Sequence, residues 1–303
     1  IEPLQLLPGL DNEIALKLMT APQVDGVLTG LNPDIVQRVA TGKPTATLSS
    51  TPGGGTSVYI APRGDWQQAI RDLCTAAFRR SGSCPTAPHV LLVHADVYDN
   101  HLFTNALKDA VSSLRAEPGN REEAQLGSLP PLLTPEQSAL LHYSKTEGSA
   151  LNWVVQPHTR EIGSITWYPG IITGLNSDSP ELKTIAGLPI LALMRVESTA
   201  AAAALQRELS RGSAAAIYST VEADTRSWQQ ALSDSTAHLC INCCPSARPG
   251  LRPFGSTHTS GPGSTPLPGG PNFLTALATW QENARPQRRG RQRNMPFAPW
   301  ETL

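Results

Sequence analysis

Ser57-Val58-Tyr59-Ile60-Ala61, then Gly64-Asp65-Trp66-Gln67-Gln68-Ala69-Ile70, then Val90-Leu91-Leu92-Val93: these three runs decide the fold. The first is a short apolar strand. Asp65 stands where a helix needs an N-cap, and Ile70, Leu73, Cys74 and Ala77 follow at i, i+3, i+4 and i+7, one apolar stripe of a helix. Cys74 therefore reads as a core residue. The third run is apolar throughout, as a strand covered on both faces should be. Strand, amphipathic helix, strand is the repeating unit of an α/β domain.

The same alternation extends in both directions. Upstream, residues 12–21 form a helix with Ile14, Leu16, Leu18 and Met19 as apolar surface. Residues 24–28 form a strand, Asn32-Pro33 opens a second helix as N-cap and first residue, and residues 46–49 form another strand. Downstream, a helix of about 16 residues is expected from Asp99. Thr134-Pro135-Glu136-Gln137 is a capping box ahead of Leu140 and Leu141. Strands are expected over 151–155, 171–173, 189–196, 214–219 and 238–241, with helices over 199–211, closed by Gly212, and 224–233.

The 303 residues suffice for one large domain or two modest ones, and 40% hydrophobic content can fill a sizeable core. A net charge of −1 gives no general attraction to nucleic acid or membrane. No apolar run approaches the roughly 20 residues of a membrane span. The chain lacks the basic start and apolar run of a signal peptide, and beginning at Ile1 it reads as a fragment, a processed product or an internal segment. Five cysteines, an odd number in a large chain, argue against a disulfide framework and for a reducing, cytoplasmic setting. Cys240-Ile241-Asn242-Cys243 has C-x-x-C spacing, but no second ligand pair accompanies it, so no metal is expected. Beyond Cys243, Pro, Gly, Ser and Thr dominate up to Pro271, apart from residues 251–254. A short amphipathic piece then covers residues 273–280, and a basic run spans Arg285 to Arg293. That run could touch nucleic acid or an acidic partner. Without interleaved aromatics it reads better as a solvated tail, so nucleic acid is not the expected partner.

Several segments resemble aldehyde dehydrogenases, in the right order. Val24-Asp25-Gly26-Val27-Leu28-Thr29-Gly30 looks like the family's strand and Thr-Gly turn after the dinucleotide site. Thr51-Pro52-Gly53-Gly54-Gly55-Thr56 stands in the place of Glu-x-Gly-Gly-x-Asn. Residues 78–93 resemble the nucleophile loop and the strand after it, and residues 189–196 resemble the strand after Glu-x-Phe-Gly-Pro. Phe254-Gly255, Ser260-Gly261-Pro262-Gly263 and Gly269-Gly270-Pro271-Asn272-Phe273-Leu274 are similar to the tail of pyrroline-5-carboxylate dehydrogenases, in the form found in bifunctional proline utilisation proteins.

The resemblance implies a three-layer α/β/α fold of aldehyde dehydrogenase type. Residues 1–50 would be the remnant of a Rossmann-like nucleotide-binding domain and 51–245 the catalytic domain. Residues 246–280 would be a C-terminal loop and oligomerisation-type segment, and 281–303 the basic tail. It also implies a chemistry: a thiolate attacks the aldehyde carbonyl, NAD(P) takes hydride, and a base activates water. Gly30 would lie beside the coenzyme, and Phe254, Gly255, Ser260 and Gly261 would form the substrate loop.

Residue by residue the match fails where the chemistry sits. The general-base position holds Thr51, whose hydroxyl takes no proton from water near neutrality; losing the base is worth roughly 10²–10⁴ in rate. Counted without a gap, the nucleophile position falls on Pro85; a one-residue deletion within residues 79–83 would instead put Cys84 there. Pro85 would then still remove the backbone N–H after the thiol and hold Cys84 extended. The ribose-gripping Glu corresponds to Ile185, which accepts no hydrogen bond. The Gly-rich residues 52–55 precede a strand rather than a helix and lack the Lys-Ser/Thr of a P-loop, so they read as a tight turn and not a phosphate nest. The expectation is a non-catalytic domain without coenzyme that supports a larger assembly through a protein partner or self-association. The alternative is an active NAD(P)-dependent enzyme with Cys84 as nucleophile.

Overall fold

The computed structural model describes residues 6, 12–29, 33–50, 55–84, 86–116, 126, 133–143, 151–161, 165–209 and 214–245. A small unit comes first: α1 (Asn12–Met19), β1 (Gly26–Thr29), α2 (Pro33–Gly42) and β2 (Thr47–Ser50). β1 and β2 pair in parallel, Gly26 opposite Thr47. Val27 and Leu48 meet Ile35, Val36 and Val39 of α2 in a core of their own. Of the four apolar residues expected on the α1 surface, Leu16 and Met19 join that core, while Ile14 and Leu18 are exposed. The helical period puts Leu16 and Met19 on one face and the other two elsewhere. Lys43 bridges the carbonyls of Ala21, Pro22 and Val24, and Arg38 grips Glu13 with both terminal nitrogens at 2.9 and 3.1 Å.

The main body follows as β3 (Ser57–Ile60), α3 (Trp66–Phe78), β4 (Val90–His94), α4 (Ala95–Tyr98), α5 (His101–Ser112), α6 (Pro135–Leu141), β5 (Asn152–Val155), β6 (His158–Glu161), β7 (Ile165–Tyr168), β8 (Gly170–Thr173), α7 (Glu181–Thr184), β9 (Ile190–Val196), α8 (Thr199–Leu209), β10 (Ala214–Tyr218), α9 (Glu222–Leu232) and β11 (His238–Ile241). Seven strands form one sheet in the order β11-β10-β3-β4-β9-β8-β5, all parallel except β5, which runs against β8. Alternation sends Val58, Ile60, Leu91 and Val93 to a core under α3 and α5. Tyr59, Val90 and Leu92 go to the opposite face, with Leu140 and Leu141 of α6, Ala202 and Ala203 of α8, and Trp228 and Leu232 of α9. Helix, sheet, helix makes three layers, the fold class expected. Each large apolar side chain buried as fully as Phe103 or Leu92 contributes about 1.5–3 kcal/mol.

Local signals account for the helix starts. Asp65 accepts from the Gln68 N–H at 2.9 Å, and the Thr134 box closes in both directions with Gln137 at 3.2 and 3.1 Å. The helix expected from Asp99 forms as α5, starting two residues later at His101 and running 12 residues. Asp99 ends α4, and Asn100 restarts the chain by accepting from the Leu102 N–H at 3.0 Å. The Asp99 carboxylate is committed to Arg195 of β9. The β6–β7 hairpin, His158 opposite Tyr168 and Glu161 opposite Ile165, goes beyond the expected elements. Among the described residues no helix is long and apolar enough to cross a membrane.

Candidate active site

Because β3, β4 and β9 are adjacent and parallel, the segments that lead into them converge on one end of the sheet. They include Gly55-Thr56 ahead of β3, the loop carrying Cys84, and the stretch from Ile185 to Pro189, all within segments the sequence singled out. Gly55 turns into β3 with φ 69°, a left-handed value that suits glycine. Its carbonyl accepts from Gln206 of α8 at 3.0 Å, and Gln206 also bonds the Ser57 hydroxyl, inside the protein.

α3 returns the chain to this end and unwinds through a 3₁₀ turn, Arg79–Gly82. Arg80, Ser81 and Gly82 are successively left-handed, at φ 52°, 55° and 80°. The turn closes where Ser83 donates to the Arg80 carbonyl, from its amide at 3.1 Å and its hydroxyl at 2.7 Å. Gly82 lies so close to the β9 entry that a Cβ would stand 2.1 Å from the Leu188 carbonyl oxygen. The turn after α3 is thus seated directly on the entry to β9.

Cys84 is half-buried, with its Sγ 3.6 Å from the Thr86 hydroxyl, and its carbonyl accepts from the Ala87 N–H at 2.8 Å. Among the described residues no carboxylate contacts the sulfur. Ile185 caps the end of α7, its N–H donating to the Glu181 carbonyl at 2.9 Å and its carbonyl accepting from Leu188 at 3.0 Å. Its side chain is 0% exposed and belongs to the apolar core with Leu188, Ile190 and Trp167. The Ile185 side chain itself offers no acceptor to a ribose hydroxyl. Thr51, Gly30, Pro85, Phe254, Gly255, Ser260 and Gly261 lie outside the described residues.

The structure adds His89, which the sequence reading passed over. It sits directly before β4, its N–H donating to the Thr56 carbonyl at 3.1 Å and its carbonyl accepting from the Ala192 N–H at 2.8 Å. Thr56 and His89 are neighbours across the β3–β4 register and share the face of Val58 and Leu91. Among the described residues neither the His89 Nδ1 nor the Thr56 hydroxyl has a hydrogen-bond partner. Complete burial pushes the His89 imidazole down to about 4, so it is neutral at physiological pH. The signal available was positional: a polar residue continuing the inward series of an apolar strand. No group of three His, Cys, Asp or Glu able to hold a metal occurs among the described residues.

With this geometry established, three comparisons bear on kinship. An aldehyde dehydrogenase from Didymella fabae is 29% identical over 128 residues, which are 41% of this chain and 25% of that protein. Proline Utilization A from Corynebacterium freiburgense superposes with a TM-score of 0.77 at 23% identity, covering 88% of this chain and 27% of its own. A betaine aldehyde dehydrogenase variant from Staphylococcus aureus, solved in complex with NAD+, gives 0.73 at 18% identity, covering 86% and 52%. The chain therefore spans between a quarter and about half of the length of these relatives. The pattern that defines the aldehyde dehydrogenase family matches residues 2–280. This chain belongs to the aldehyde dehydrogenase family.

Proposed function

We propose that the chain is a non-catalytic aldehyde dehydrogenase-like domain. Its role is structural: supporting oligomerisation or covering a substrate tunnel in a larger protein or complex. One observation carries this reading. Ile185, where the family resemblance expects the ribose-gripping acid, is fully buried in an apolar core. The substitution both removes an acceptor and fills its surroundings with hydrocarbon. The seating of Gly82 on Leu188 supports it further, because the loop and the coenzyme segment are packed together without space for even a methyl group. Thr51 in place of the base agrees with the same reading.

A second reading draws on Cys84 itself, a half-buried thiol at the sheet end where the three segments converge. It makes the protein an NAD(P)-dependent aldehyde dehydrogenase of pyrroline-5-carboxylate type, with Cys84 as nucleophile. A coenzyme-reduction assay over a panel of aldehydes and semialdehydes separates the two. Wild type and Cys84→Ala are expected to be indistinguishable, with no turnover above background and no binding of NAD+ or NADP+ by calorimetry. Turnover that vanishes in Cys84→Ala would overturn the non-catalytic reading. Ile185→Glu is expected to destabilise the fold by several kcal/mol, since it buries an unpaired carboxylate, and to gain no coenzyme binding.

A further inference from the structure

The far end of the same sheet holds three of the five cysteines, which the proposed function leaves without a role. Cys240 lies in β11 opposite Ala216, so the side chain beside it on the sheet face is only a methyl group. It packs, half-buried, against the core under α3. Two residues on, Asn242 adopts a left-handed conformation, φ 51°, that costs a non-glycine residue free energy. Four hydrogen bonds hold it there. Its amide side chain accepts from the Ser219 N–H at 2.9 Å and donates to the Ser219 carbonyl at 3.0 Å. Its own N–H reaches the Ile217 carbonyl at 2.8 Å, and its carbonyl accepts from Gln68 of α3 at 3.1 Å. The bend is therefore pinned to β10 and to α3 together, and it presents the exposed Cys243 three residues after Cys240. Tyr218, the β10 residue between Ile217 and Ser219, donates its hydroxyl to Asp72 of α3 at 2.6 Å, a further tie between this end of β10 and α3.

We propose that Cys240 and Cys243 form a thiol–disulfide exchange site that reacts with low-molecular-weight disulfides. The exposed Cys243 thiolate attacks one sulfur of the small disulfide. Its S–S bond breaks, one thiolate leaves and takes a proton from solvent, and a mixed disulfide remains on Cys243. The Cys240 thiolate then attacks the Cys243 Sγ and expels the second small thiolate. The protein dithiol is oxidised to a disulfide, and the small disulfide is reduced to two thiols. Exposure selects Cys243 for the first step, and C-x-x-C spacing around a fixed bend selects Cys240 for the second. Cys74 is unsuited to either role: it stands in mid-helix on α3 with no cysteine at C-x-x-C spacing, and burial pushes its thiol up to about 11.

The test is titration of the full chain with glutathione disulfide, followed by alkylation, intact mass and peptide mapping. The five alkylatable thiols of the wild type are expected to fall to three, with a mass loss of two hydrogen atoms and a mapped Cys240–Cys243 link. Cys240→Ser, and Cys240→Ala, which keeps the apolar contact, are expected to stop at a glutathione adduct on Cys243. Cys243→Ser is expected to form no internal link, whereas Cys244→Ser and Cys84→Ala behave as wild type. Five thiols left unreacted, a persistent glutathione adduct on the wild type, or an internal link that survives Cys240→Ala would each overturn the proposal.

Discussion

Burial favours the neutral form of an imidazole, and His89 is buried. Its folded value of about 4 lies below the ordinary 6.5, so between those values the unfolded chain binds more protons than the folded one. The contribution is complete above the unfolded value and drains away as the pH falls through the folded one. The loss amounts to roughly 3 kcal/mol. Urea melts at stepped pH are expected to show that acid limb in wild type and to lack it in His89→Leu. A His89→Leu variant that lost stability as steeply as wild type over the same range would show that other groups cause it. At this scale the sequence was only half legible. Ile185 could be assigned to its position by counting back from Pro189. Its enclosure by Leu188 and Trp167 depends on residues brought from β7 and the β9 entry, and no local pattern encodes that. The environment of His89 likewise depends on Thr56, which comes from the neighbouring strand.

Elements whose boundaries rest on backbone chemistry close to the residue were readable: the Asp65 cap, the Thr134 box and the β11 limits all stand as the sequence indicated. The helix expected from Asp99 stands as α5, but the short α4 before it was missed because its four residues, Ala95–Tyr98, are too few to show a period. The hairpin of β6 and β7 was missed because β6, His-Thr-Arg-Glu, has no apolar alternation to announce it. What no periodicity reports is how one loop lies on another strand. Two glycines measure this. Gly82 and Gly187 share nearly the same left-handed φ, 80° and 81°, but Gly82 faces the Leu188 carbonyl while Gly187 has open space around its would-be Cβ. Gly187→Ala is expected to cost about 1 kcal/mol for the backbone alone. Gly82→Ala adds a steric clash and should cost roughly 2–4 kcal/mol. Equal losses in thermal denaturation would mean that the loop is not tightly seated on the β9 entry.

At the scale of the whole molecule, the seven-stranded sheet is covered on both faces, while among the described residues the β1–β2 pair is covered on one, with Leu28 66% exposed. Parallel strands are rarely stable half-covered. Hydrogen exchange should therefore find the amides of β3, β4 and β9 opening only with global unfolding. Those of β1 and β2 should open at a free energy lower by more than about 2 kcal/mol. Uniform protection across both sheets would contradict that division. The strand order carries a further consequence, for synthesis. β3 takes β4 as one neighbour soon after it leaves the ribosome, but its other neighbour, β10, is translated only after β5, β8 and β9. Until then one margin of Val58, Tyr59 and Ile60 remains an open template, the kind of unpaired apolar edge that recruits foreign strands and draws chaperones to a nascent chain.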